Sequence, residues 1–142
     1  MPRLVYALLC TDVLVERDSN STSFIRTIDQ GTVRVLPAVM PPLFLCTLWE
    51  LDPEQDKDFS VALVKVAPSG AKEAIGKQVV RNTGARLHKV NFHIPGLNVS
   101  EAGRHGIRLA FRPEKNKTEQ FELPLYIHLE PAKPAAAPET SH

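Results

Sequence analysis

Towards its C-terminus the chain alternates apolar and polar residues with a period of two. Ile107, Leu109 and Phe111 alternate with Gly106, Arg108, Ala110 and Arg112; Phe121, Leu123, Leu125, Ile127 and Leu129 alternate with Glu122, Pro124, Tyr126 and His128. Successive side chains of a strand point to opposite faces, so one set is buried and the other meets water. A helix would scatter the odd-numbered set around its axis. The two runs predict an antiparallel pair whose inner face is pure core.

Comparable runs recur upstream, at 4–10, 13–17, 23–28, 33–39, 43–51, 59–67 and 86–94. Asp29-Gln30-Gly31 reads as a hairpin turn between two of them, with Gly31 at positive φ. The run 43–51 is apolar on both parities, as expected of a strand covered on both faces. In 59–67 the alternation through Phe59, Val61 and Leu63 changes phase at Val64 and Val66, which predicts a bulge at 63–64. Residues 72–81 read as a weak outer strand or a short helix, and 97–103 as one helical turn. Eight or nine short strands with almost no helical period predict an all-β fold, an antiparallel two-sheet sandwich over residues 1–130. The Pro/Ala-rich stretch 131–142 is expected to be a disordered tail.

Composition narrows this picture little. The 142 residues are enough for one domain with a real core, and 23% charged residues are ordinary for a globular chain. Charge is unevenly spread beneath a net +1. Residues 1–59 hold five basic against nine acidic side chains, 60–120 hold eleven against four, and 121–142 hold one against three. A basic excess of that size suits an anionic ligand or a nucleic acid if it gathers on one face. The N-terminal apolar run is too short for a secretory signal, and no run is long enough to span a bilayer, so a cytoplasmic protein is expected. In that compartment Cys10 and Cys46 read as small buried hydrophobes; a disulfide requires their strands to lie beside or across from each other.

Chemical motifs are sparse. Asp52, Glu54, Asp56 and Asp58 alternate as in a calcium loop, but Lys57 stands where that loop needs glycine and Leu63 where it needs a bidentate glutamate. His88 and His93 have opposite parity and cannot share a metal; His105 has the inward parity of Ile107, while His128 points outward. No nucleophile elbow, phosphate loop or dinucleotide fingerprint occurs, so neither enzyme activity nor a cofactor is expected.

Leu4 to Val13, the segment Pro37-Ala38-Val39-Met40-Pro41, and Gly106-Ile107-Arg108-Leu109 followed by Leu123-Pro124-Leu125 resemble a family of small bacterial all-β proteins known only as a domain of unknown function. The resemblance covers most of residues 3–130 and departs from the family at Ile107, where its members tend to carry an aromatic residue. It implies a cytoplasmic sandwich ending in a hairpin, and no site residues. The expected function is a non-catalytic module for protein binding or self-association. The alternatives are an anion or nucleic-acid binder using the basic 60–120 region, and a calcium-dependent module. Arg108, Arg112, Tyr126 and His128, on the outward face of the last two strands, are the candidate interaction surface.

Overall fold

The computed structural model describes residues 1–19, 21–114 and 117–130, and within them the chain is all β. The stretch 131–142 lies outside the described residues. Eleven strands appear in order: β1 (Arg3–Val15), β2 (Thr22–Thr27), β3 (Gln30–Val33), β4 (Ala38–Met40), β5 (Leu43–Glu50), β6 (Phe59–Val66), β7 (Lys72–Val80), β8 (Leu87–Ile94), β9 (Leu97–Val99), β10 (Gly103–Glu114) and β11 (Lys117–Leu129). One sheet has the order β2-β1-β5-β8 and the other β3-β11-β10-β6-β7, with β4 and β9 as a small pair at one end. The sheets stack as a sandwich. Leu43, Leu45 and Trp49 of the first share one buried cluster with Val61, Leu63, Ile107, Leu109 and Leu125 of the second.

An aromatic wedge joins the two sheets. The ring of Trp49 meets Phe111 edge-on at 4.8 Å and Phe59 at 5.1 Å, an arrangement that places positive ring edges on negative ring faces. The indole N–H is satisfied inside the same sheet. It donates to Thr47 Oγ1 at 2.8 Å, and that hydroxyl donates to the Val90 carbonyl at 2.7 Å. This relay explains a polar Thr at a fully buried core position of β5.

Several local expectations are corrected. Residues 29–31 do not form a hairpin turn, because β2 and β3 lie in different sheets. Strand β3 pairs with β11 in parallel, so the sandwich is not wholly antiparallel. Gly31 serves close packing: a Cβ there would stand 2.9 Å from the Met40 methyl. The alternation in β6 does not change phase, because Lys65 occupies the core-facing position instead. Its stem is buried, and its ammonium reaches the Asn98 carbonyl and Glu73 Oε2, the latter at 3.1 Å. The irregularity at 63–64 is real but its extra residue, Ile75, sits on β7: Leu63 pairs with Gly76 and Val64 with Ala74. Residues 97–99 form a strand against β4, not a helical turn. The ambiguous 72–81 segment is an edge strand.

The long strand β1 changes partner partway. Residues 3–10 pair with β5, and residues 10–15 pair with β2 on the opposite side. Beyond Cys10, β1 and β2 form an arm that crosses the outer face of its own sheet. Phe24 stacks edge-on against Tyr6 at 5.8 Å, and Lys89 Nζ donates to Thr22 Oγ1 at 2.9 Å.

Replacing Thr47 by Val keeps the volume but strands the indole N–H. The expected cost is about 1–3 kcal/mol, seen as a lower urea midpoint with an unchanged slope.

Candidate functional site

The outward face of β10 and β11 holds the four residues singled out by alternation, and the register shows how they lie. Arg108 is opposite Glu122, and Tyr126 is opposite Arg104. Arg112 lies towards one end of β10 and His128 towards the other end of β11. At about 3.3 Å per residue, their positions are roughly 30 Å apart along the sheet. The four do not converge on one site.

Glu122 decides the electrostatics of this face. Its carboxylate accepts from Arg104 at 3.1 Å through one oxygen and from Arg108 at 3.2 Å through the other. It gets there by lying across Gly106; a Cβ on that glycine would be 2.5 Å from the Glu122 carboxyl carbon. The hydrogen bond from Arg104, helped by Arg108 and opposed by partial burial, holds the Glu122 carboxyl below its ordinary range. Two of the three outward arginines of β10 are thereby engaged. Tyr126 and His128 are tied to β3: the Tyr126 N–H donates to the Asp29 carbonyl at 2.9 Å, and His128 Nε2 meets Gln30 Oε1 at 3.2 Å. Arg112 is exposed and has no ion pair among the described residues.

Three of the four acids in the loop at 52–58 are committed to backbone N–H groups, one of them also to the Met1 ammonium. Asp52 Oδ1 accepts from the Glu54 and Gln55 N–H groups at 3.0 and 3.3 Å. Asp56 accepts from the Asp52 N–H at 2.6 Å and faces the Met1 ammonium at 2.8 Å, and Asp58 accepts from the Asn82 N–H at 2.9 Å. Among the described residues no three His, Cys, Asp or Glu side chains converge as metal ligands. His88 and His93 do lie on opposite faces, across from Trp49 and Phe44 of β5. His105 is fully buried, with Nδ1 3.2 Å from the Gly103 carbonyl oxygen.

A different feature stands out where β1 and β11 face each other across the open side of the sandwich. The hydrogen-bonding directions along a strand alternate residue by residue. The Leu9 carbonyl accepts from the Ile28 N–H at 2.8 Å, so the peptide groups of Ala7 also face that side, beyond the end of β2. By the same alternation from Tyr126, the groups of Glu122, Gln120 and Thr118 face outward from β11, beyond the reach of β3. Among the described residues no strand pairs with either stretch. Two hollows of about 200 and 210 Å³ run between them and meet at Ala7; Tyr6, Phe111, Gln120 and Phe121 line the first, and Leu9, Ile28 and Leu123 are among those lining the second.

The inner face of β11 is therefore not pure core. Phe121 has core-facing parity yet is 43% exposed, because β1 stands back from it, and Leu129 is 47% exposed at the other end. Val5, the extra residue where the β1–β5 register shifts, is 48% exposed beside the same groove. The alternation pattern did not reveal this seam. Pro124 was the available signal: proline inside a strand belongs on an edge, and its missing N–H falls on the unpaired side.

Two outcomes follow for Glu122. Its contribution to stability is complete above its ordinary value of 4.5 and is lost as pH falls through the lowered folded value. Melting curves from pH 6 down to about pH 3 are expected to show a steeper loss for the native chain than for Glu122→Gln. Gly106→Ala pushes the flexible Glu122 side chain off both arginines and is expected to cost up to about 1 kcal/mol in chemical denaturation, the worth of partly exposed ion pairs.

Compared with protein-family models and with curated proteins, the chain matches none.

Proposed function

We propose that the protein is a non-catalytic interaction module that accepts an extended strand of a protein partner at the seam between β1 and β11. One observation carries the reading: two strand edges with unpaired peptide groups flank an apolar groove that exposes Val5 and Phe121. A strand edge is a template for another chain, because added main-chain hydrogen bonds supply affinity and side-chain pockets supply selectivity. A side chain on the added strand fills the hollow over Phe121 and Phe111. Pro124 and the register shift at Val5 blunt the two edges locally, and between them the outward peptide groups of Ala7, Gln120 and Glu122 have no strand partner among the described residues. The proposed role is pairing with a partner strand in the cytoplasm, with pairing of one copy to another as its self-association form. On the outer face Arg104 and Arg108 share the single Glu122 carboxylate, which holds both side chains in place and offsets one of their two charges.

Selection of extended peptides from a displayed random library, followed by titration, tests the reading. Enriched peptides are expected to alternate apolar and polar residues. Gln120→Pro removes one outward N–H without touching the β10 ladder, and Phe121→Lys charges the groove. Each is expected to weaken binding at least tenfold, about 1.4 kcal/mol, while the melting temperature stays nearly unchanged. Recovery of no peptide, together with a strictly monomeric chain in light scattering, would sink the proposal.

A further inference from the structure

We propose that Cys10 and Cys46 form a reversible intrachain disulfide, making the root of the β1–β2 arm a site of oxidative modification. The two sulfurs stand 3.6 Å apart, and both side chains are fully buried. Cys10 is opposite Phe44 and Cys46 is opposite Leu8, so the cysteines form a diagonal pair on one face of neighbouring strands. Closing to a bond needs the sulfurs to approach by about 1.5 Å, which side-chain rotation and a small backbone shift supply. A diagonal pair has a Cα separation of about 7–8 Å, just beyond the usual disulfide range, so closing the bond draws the two strands together locally. A bond made there is correspondingly easy to reduce, the property of regulatory rather than structural disulfides.

The oxidant belongs to the peroxide class. One sulfur attacks the O–O bond as thiolate, gives a sulfenic acid and releases hydroxide. The second thiol then displaces water from that sulfenic acid and forms the S–S bond. Over both steps two thiols lose two electrons to one peroxide, and two waters form. The surroundings slow this reaction. Burial, and after it the neighbouring Cys10, pushes the Cys46 thiol up to about 12, so it is fully protonated at neutral pH. The arm lies over this face: Phe24 rests on Tyr6, which neighbours Cys46, and the Lys89–Thr22 hydrogen bond holds β2 against β8. Oxidation therefore requires the arm to lift, and the finished bond closes a loop from residue 10 to residue 46 that contains the arm, β3 and β4.

The test treats the full-length protein with hydrogen peroxide, then alkylates it under denaturing conditions before intact-mass and peptide analysis. The expected product is a monomer lighter by two hydrogens that takes up no alkylating agent. Its Cys10 and Cys46 peptides stay linked until dithiothreitol is added. Its melting temperature is expected to rise by roughly 5–10 °C, from loop closure in the unfolded chain less some strain. Phe24→Ala loosens the arm and is expected to speed formation of the bond severalfold. Two alkylated cysteines after oxidation, a disulfide-linked dimer, or sulfinic acid in place of a linkage would each overturn the proposal. An oxidation rate unchanged in Phe24→Ala would overturn the role of the arm.

Discussion

The structure turns on the fact that β1 has two neighbours offset along its length. Paired with β5 up to Cys10 and with β2 from Cys10 onward, it belongs fully to neither hairpin. That offset leaves residues 3–8 without a strand partner on one side among the described residues, which opens the seam against β11. The same offset lets the second half of the strand leave the sheet as an arm, which covers the outer face and buries two thiols.

The seam and the core are also linked. Trp49 holds the two sheets together through Phe59 and Phe111, and Phe111 also lines the seam. A strand docking there would extend the aromatic packing that already joins the sheets. It would meet the free peptide groups of β11 without disturbing the β10–β11 ladder, whose hydrogen bonds point the other way.

On the opposite face, Gly106 and Glu122 show how one residue without a side chain organises its surroundings. The missing Cβ admits a carboxylate across β10, and that carboxylate engages Arg104 and Arg108. One carboxylate thus offsets only part of the positive charge counted along residues 60–120, and Arg112 on the same strand has no ion pair among the described residues. Charge totals are blind to such pairing, because they carry no information about register across strands.

Sequence alone determined the class of the protein and most of its strands. A period of two has only one structural solution, and the alternation in β10 and β11 marked Ile107, Leu109, Leu125 and Ile127 as core. It also placed Arg108, Arg112, Tyr126 and His128 outward. Tertiary structure decided the rest. Alternation states which way a side chain points, not whether anything stands over it, so Phe121 and Leu129 were indistinguishable from Leu125. Strand order joined β3 to β11 in parallel and dissolved the apparent hairpin at 29–31. It put Lys65 in a core-facing position because Asn98 and Glu73 come to meet its ammonium. The seam and the Cys10–Cys46 contact arise between residues far apart in the chain, and only pairing and register bring them together.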